Sequence, residues 1–516
     1  ELLVWRELAY TWCHYHASHE SLSVLPQWAQ DTWNRHRHDV RSVQSWETLA
    51  RAKTGDELWD ACQTSLLQHG ELHNNVRMTW GKAVARWSAS PEHTLENLID
   101  LNHRYALDGR DPSSYGGLLW CMGLFDREFP PERPVSGVVR PRETEQHAAR
   151  LDVSEYRRLV SRPLFPSEPK VAVIGAGPAG SLLGRTLSDH GLDVTLFDKG
   201  RGLGGRTAAR DDRMSPNAST FDFGAQYMSF RNRHLQRRGQ SWGQDGVISV
   251  WDARFARISN GTTERLEPKR SRYVANPTMR GLCEYLVQDQ HVRRETRVDA
   301  IARDGAQWRL STAKGDLGAY DIVLVTAPAP QTARLLQHVA PALSSAASAS
   351  TYAPCWAVMA YASSSDVDYD AAVIEDHPLS WVARDDSKPN RPTGVRWVLH
   401  ASPTWSRDHL EADREAVCDT LLDAARSLGI HHITDAYAHR WRFALVDRPT
   451  LEPSSYDANL SIGFAGDWCR GARVEAAMES ALHLAGRVLS SLYDRASTRS
   501  NVSITDTPLF QQRSLL

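Results

Sequence analysis

No run of apolar residues in this 516-residue chain approaches the roughly 20 needed to cross a membrane as a helix, and no signal peptide is visible at its start. Cysteine is sparse: the seven, at positions 13, 62, 121, 283, 355, 418 and 469, are odd in number, scattered and without a C-x-x-C pair. That argues against a disulfide framework and fits reduced thiols in a cytoplasmic protein. Charge of one sign is missing too. Lys and Arg number 60 against 62 Asp and Glu, a net −2, so no global basic field advertises nucleic acid; a local groove stays open. Neither G-x-S-x-G nor a Walker loop occurs, which sets aside hydrolase and NTPase chemistry. The clusters Cys13–His16 with His19, and His36–His38, lack a paired Cys set or a carboxylate at ligand spacing. With His431–His432 they read as surface or packing histidines, and no metal is expected.

What the chain does have is concentrated in its middle. An apolar run, Val171 to Ile174, reads as a buried strand and enters G-A-G-P-A-G with Gly175, Gly177 and Gly180. A helical segment to His190 and a second apolar run closing on Asp198 follow. This is the order of a dinucleotide-binding βαβ unit. Its glycines serve the tight turn, the approach of backbone N–H groups to a pyrophosphate, and close helix–strand packing. The helix N-terminus adds partial positive charge, and Asp198 stands where a ribose 2′-hydroxyl would donate to it.

Directly after that acid comes G-R-G-L-G-G-R, ending in Gly204, Gly205 and Arg206. A second glycine cluster with an arginine is the pattern of two-dinucleotide-fold flavoproteins, in which Arg206 and Arg210 would offer charge-assisted donors. Phe221–Tyr227 (F-D-F-G-A-Q-Y), which includes Gln226, reads as a short strand and turn lying along an isoalloxazine. Near the end, Leu460–Glu475 begins as a strand and enters a helix expected over 474–489. There Gly466 and Asp467 sit where a carboxylate would bind a ribityl chain, with Arg473 and Val474 at the helix start. Three clusters spread over almost three hundred residues are expected to converge on one FAD.

These residues resemble the renalase-like branch of the flavin amine-oxidase superfamily, from about Lys170 to Tyr493. The likeness includes His377–Arg384, Trp397–Trp405, His439–Ala444 and, most specifically, G-D-W-C-R-G-A-R-V-E from Gly466 to Glu475. It implies a glutathione-reductase-type Rossmann FAD domain with an inserted mixed α/β substrate domain, and adds Val298 to the cofactor-binding set. It also implies hydride transfer from a small reduced substrate, of the reduced-nicotinamide or amine type, to flavin N5, with dioxygen as oxidant. Trp397, His400 and Trp405 are substrate-pocket candidates by resemblance. The chain departs from the pattern at Ala472 and Ala476, where relatives more often carry Gly and a methyl group could crowd the flavin.

The first 142 residues read differently. Apolar residues recur at helical spacing, as in Leu58, Cys62 and Leu66, and Ser90-Pro91 followed by Glu92 opens a helix. We read an all-helical block of about six helices. It holds half of the chain's 18 tryptophans, which as a class fill cores. Six runs follow in order: Trp5–Tyr10, Asp56–Ala61, His73–Trp87, Leu101–Pro112, Ser114–Gly123 and Glu132–Gly137. They resemble the C-terminal part of the FAD-binding domain of class II cyclobutane pyrimidine dimer photolyases. That resemblance implies an Arg77–Asp108 ion pair beside flavin N5, Asn102 facing N5, and an electron relay through Trp80, Trp59 and Trp87. It also implies Trp120 stacking on a flipped pyrimidine dimer of UV-damaged DNA, a lesion that costs less to unstack than an intact base. Arg133, Arg140 and Arg142 are read as a solvated basic edge.

The resemblance further implies that the chain opens inside the helical domain, so that the block as given would not hold FAD by itself, while a full-length version would. Whether it is a piece of a longer product or a remnant fused to the oxidoreductase stays open at this point. The expected organisation is a helical block over 1–142, a linker over 143–169 with Pro163, Pro166 and Pro169, an oxidoreductase over 170–495 and a disordered tail from Ala496. Three functions compete: an FAD oxidoreductase fused to a partial photolyase, a light-driven repair enzyme with an accessory reductase, and a helical block kept only as an interaction module. The first is favoured, because its cofactor site is complete within the chain.

Overall fold

The structure, a computed structural model, describes residues 2–163, 168–211 and 220–499. Two compact units divide the chain, one within Glu1–Glu168 and one within Pro169–Thr498.

The first unit is helical. Asp56 caps the helix Glu57–His69 by accepting from the Trp59 N–H at 3.0 Å, and Gly70 ends it in the left-handed region (φ 68°). Ser90 caps Pro91–Tyr105 with proline in the first turn, as the Ser-Pro start predicts. With Asn74–Trp87 and Pro112–Cys121 these helices close on one core containing Trp33, Trp46, Trp59, Trp80 and Trp87. Seven α-helices, not six, occur among the described residues up to 142. The expected linker is structured for much of its length: Thr144–Ala148 and Val153–Val160 are helices, and Leu151 and Tyr156 pack on the same core. The Val160 carbonyl accepts from His69 Nε2 at 3.0 Å.

The second unit is built on the predicted βαβ. Strand Lys170–Ile174 lies parallel to Asp193–Phe197, joined by the helix Pro178–Asp189. Around them a six-stranded sheet runs in the order 455–457, 462–464, 322–325, 170–174, 193–197, 291–293, with only the first strand antiparallel. A seven-stranded mixed sheet forms the inserted layer, its edge the long strand Ile433–Arg448 paired with Thr351–Ala362. Period-2 alternation gives that sheet two faces. Trp356, Val358, Trp397, Leu399 and Ala438 enter one core, whereas Met359 and Val398 face a smaller cluster with Phe221 and Phe223. The helix opening at Val474 runs to Arg499, ten residues past its expected end and into the expected tail. Pro166 and residues 500–516 lie outside the described residues. Among the described residues no helix is long and apolar enough to cross a membrane.

Gly180 shows why the motif needs glycine. A Cβ there would lie 1.9 Å from the Gly175 carbonyl oxygen, so any side chain pushes the helix off the strand. Gly180→Ala should destabilise the second unit by about 1–3 kcal/mol or more, read as a lower midpoint in chemical denaturation followed by tryptophan fluorescence. An unchanged midpoint would show that the helix is not seated as described.

Candidate cofactor and substrate sites

In the second unit the three glycine clusters meet. The Gly204 N–H donates to the Ala176 carbonyl at 3.1 Å, which docks the second cluster onto the first. Gly204 holds φ 104°, a conformation that favours glycine, and leads into the short turn Gly205–Thr207. From that turn the Arg206 guanidinium pairs with the Asp467 carboxylate and donates to the Ala444 carbonyl at 3.1 Å. Asp467 thereby ties the C-terminal cluster to the second one. The Gly466 N–H is held by Ser480 Oγ at 2.9 Å. Val474 begins the long helix, and Arg473 is exposed before it.

Asp198 is already employed within the loop. Its Oδ2 accepts from the Ala176 N–H at 2.8 Å and its Oδ1 from the Gly200 N–H at 2.6 Å. Each carboxylate oxygen keeps a further lone pair for a hydroxyl. The segment carrying Val298 lies alongside: Thr296 N–H donates to the Asp198 carbonyl at 2.8 Å, and Val298 is buried. The 221–227 segment is held on Arg206, whose carbonyl accepts from the Ala225 N–H at 2.9 Å. Gln226, 6% exposed, belongs to it. Ala472 is exposed and precedes the helix, whereas Ala476 is wholly buried in its first turn.

Sequence reasoning missed the ring cluster facing this segment. Phe223 stacks on Trp441 with centroids 4.9 Å apart, and His439 meets both edge-on. Tyr437 lies beneath the Arg210 guanidinium at 4.9 Å. Residues 437, 439 and 441 share one face of a strand, so alternation within H-R-W-R was the available signal. Of the three pocket candidates only His400 joins this side, with its Nε2 3.1 Å from the Phe223 carbonyl. Trp397 is at 0% exposure in the opposite core, and Trp405 packs on that core stacked against His409. Trp397 and His400 lie three apart on one strand and therefore face opposite ways.

In the first unit the relay tryptophans are contiguous. Trp80 and Trp59 stack at 6.1 Å and 11°, and Trp59 meets Trp87 edge-on at 5.1 Å. Trp59 Nε1 donates to the Trp80 carbonyl at 2.9 Å and Trp80 Nε1 to Gln63 Oε1 at 3.0 Å, so both rings are fixed. Arg77 grips Asp108 in two bonds of 2.7 and 3.0 Å. Asn102 is 1% exposed, and its Oδ1 has no hydrogen-bond partner. Trp120 lies 4.5 Å from Trp5 on the wall of a cavity of about 370 Å³, which Arg77, Lys82, Arg140 and Arg142 also line. Burial lowers the proton affinity of Arg142 and of Lys82, whose Nζ is enclosed without a partner. The solvated-edge reading is thus corrected for Arg142, which is half-buried, whereas Arg140 borders the cavity while exposed. Among the described residues no three His, Cys, Asp or Glu side chains gather as a metal site; His36 pairs with Asp39 and Glu132.

These two sites have separate relatives. Residues 1–106 match the FAD binding domain of DNA photolyase, and residues 173–237 match the NAD(P)-binding Rossmann-like domain. The chain therefore carries an N-terminal stretch similar to the FAD binding domain of DNA photolyase, followed by a separate stretch similar to an NAD(P)-binding Rossmann-like domain. The deoxyribodipyrimidine photo-lyase of Oryza sativa subsp. japonica is 38% identical over 184 residues, covering 35% of this chain and 36% of the relative. The chain thus spans about a third of the length of the curated photolyases it matches. Renalase of Mus musculus is 23% identical over 308 residues, which cover 54% of this chain and 87% of that protein. The solved cyclohexylamine oxidase of Brevibacterium oxydans IH-35A superposes with a TM-score of 0.51 at 12% identity, over 63% of this chain and 100% of its own; that likeness is one of fold.

The groups present suit a flavin nucleotide in both places. In the second unit the glycine-lined turn, the Asp198 carboxylate and the Arg206–Asp467 pair offer acceptors and donors of the kinds its ribose and phosphates need. In the first, the helix Pro91–Tyr105 buries Asn102, whose Oδ1 has no hydrogen-bond partner.

Burial, and secondarily Lys388, pushes His400 down to about 4. Between that value and the ordinary 6.5 the unfolded chain binds a proton that the folded chain refuses. His400 therefore withdraws about 3 kcal/mol of stability as the pH falls from 6.5 to 4, and no more below that. Denaturant titrations at pH 7 and 4.5 should show a smaller difference for His400→Gln than for the wild type; an equal difference would count against a neutral, buried His400.

Proposed function

We propose that the second unit is an FAD-dependent oxidoreductase that takes a hydride from a small reduced substrate of the reduced-nicotinamide type to flavin, with dioxygen as oxidant. The observation that carries this reading is the meeting of clusters from 175–180, 204–206 and 466–467 through the Gly204–Ala176 bond and the Arg206–Asp467 pair. FAD supplies the hydride-accepting ring; the chain supplies binding, orientation and exclusion of water. Arg206 and Asp467 would hold the phosphate and ribityl portions, Asp198 the ribose, and Gln226 with its segment the ring. The Phe223–Trp441–His439 cluster would stack on a planar substrate and keep water away.

Its charge favours a neutral or anionic ring over a protonated amine. Arg210 stands 3.5 Å from His439, and burial, then Arg210 and Arg414, push that imidazole down to about 4, so it is neutral at pH 7. Anaerobic addition of reduced nicotinamide isomers should bleach the visible flavin band, and air should restore it, while a primary amine at the same concentration should leave the band unchanged. Bleaching by the amine alone would reverse the assignment. Trp441→Ala should raise KM about tenfold, the equivalent of about 1.4 kcal/mol of ring stacking.

A second reading concerns the first unit and is favoured by its ring geometry. The contiguous Trp80–Trp59–Trp87 series and the Arg77–Asp108 pair support a light-driven electron relay to flavin, and the basic, Trp-lined cavity supports a damaged pyrimidine pair as ligand. We infer a photolyase-type module that would repair DNA within a longer chain. In flavin-loaded protein, Trp59→Phe should slow light-driven flavin reduction at least tenfold under reductant; an unchanged rate would remove the relay.

A further inference from the structure

Five charged side chains are shut inside the second unit next to the 221–227 segment. Asp222, Asp385, Lys388, Arg391 and Arg396 are each at most 2% exposed. Arg391 grips Asp222 Oδ2 through Nε at 3.0 Å and Nη2 at 2.6 Å, and Met279 N–H donates to Asp222 Oδ1 at 2.8 Å. Arg396 Nη2 donates to Asp385 Oδ2 at 2.9 Å. Lys388 bridges the two halves: its Nζ lies 3.0 Å from Asp385 Oδ1 and 3.5 Å from Asp222 Oδ2, and donates to Gln226 Oε1 at 3.0 Å.

Three cations thus face two carboxylates. The flanking groups do not correct the imbalance among the described residues. Arg384 pairs with Asp386 at 2.6 Å and Arg254 with Asp370 at 3.0 Å; the extra carboxylate on Arg254, Asp368, is 96% exposed and screened by solvent, and His400 is neutral at pH 7. Each cation has a carboxylate partner, yet the buried array as a whole keeps one unit of net positive charge, and burying net charge costs several kcal/mol. Lys388 Nζ lies 5.5 Å over the Trp251 ring and donates to Gln226, which belongs to the segment hydrogen-bonded to Arg206 of the second glycine cluster.

We propose that this array is a redox-tuning device: Lys388 positions Gln226, and the surplus positive charge favours the anionic, two-electron-reduced form of the flavin bound beside that segment. The inference rests on the oxidoreductase reading above. Asp222, Asp385, Arg391 and Arg396 are positioning residues that hold Lys388 and set the net charge. Transfer of a hydride, with no further proton, leaves the flavin as the two-electron-reduced anion FADH−, and the array supplies the matching field without itself gaining or losing a proton.

The test is the reduction potential of the bound flavin in the full chain, measured against a reference dye, with sulfite affinity as a second readout of positive charge at the ring. Flavin-to-protein ratio is recorded first for every variant. Lys388→Met and Gln226→Glu, which each remove one unit of net positive charge, should shift the equilibrium at least tenfold toward the oxidised form, a fall of about 30 mV, and weaken sulfite binding by a similar factor. Asp385→Asn, which adds one, should shift both in the opposite direction, and Lys388→Arg should restore wild-type values. A purely structural array would move the potential in one direction for every disruptive variant, or not at all; either result overturns the proposal. Should Lys388→Met fail to fold, Gln226→Glu and Asp385→Asn still decide it by their opposite signs. Absence of FAD from the wild-type chain would instead sink the oxidoreductase reading, and this proposal with it.

Discussion

One ion pair closes the second unit's site. Arg206 and Asp467 are 261 residues apart in the chain, and their contact joins the glycine cluster after the first βαβ unit to the turn that opens the last helix. Everything placed around it depends on that closure. The 221–227 segment hangs from the Arg206 carbonyl, the long strand is held through its Ala444 carbonyl, and Gly204 docks onto the first phosphate-type turn. The pair is largely buried, with side chains 28% and 9% exposed, and for such a pair the cost of desolvation offsets much of the Coulombic gain. This one brings sheet, insert and helix to a common point, so its value lies in geometry more than in energy.

The first unit rests on a different principle. Its centre is aromatic, with indoles fixed by hydrogen bonds to a carbonyl and a glutamine and stacked with centroids 6.1 Å apart. The two units thus gather different groups: contiguous tryptophans with a basic cavity in one, and glycine turns closed by an ion pair beside an aromatic cluster in the other. Their matches to photolyase and to renalase, over separate stretches, agree with that division.

Local signals carried much of this. Gly175, Gly177, Gly180 and Asp198 announced the βαβ unit because strand, turn and helix have to follow one another there, and Ser90-Pro91 announced a helix that begins as written. What the sequence hid was orientation and partnership. Trp397 and His400 looked alike as pocket candidates, yet a strand places them on opposite faces. Arg142 read as solvated because its neighbours are polar, whereas the fold turns it toward Trp120 and Lys82. The stretch 143–160 read as a linker with at most one short helix because its helices are short and polar; Asp152 caps the second, and Ala148, Leu151 and Tyr156 pack on the helical core. The buried array of Lys388 was invisible, since D-D-S-K-P-N-R resembles an exposed turn until Asp222, far upstream, is brought against it.

The central claim is that three separated clusters of the second unit form one flavin site, and the most direct measurement is the absorption spectrum of the purified full chain with its FAD-to-protein ratio, compared with Arg206→Leu. The account predicts a flavin spectrum with at least one FAD per chain, and a loss of one equivalent in the variant while the first unit's helical signal is kept. A chain that folds but carries no flavin, or a variant that retains all of it, would contradict the account.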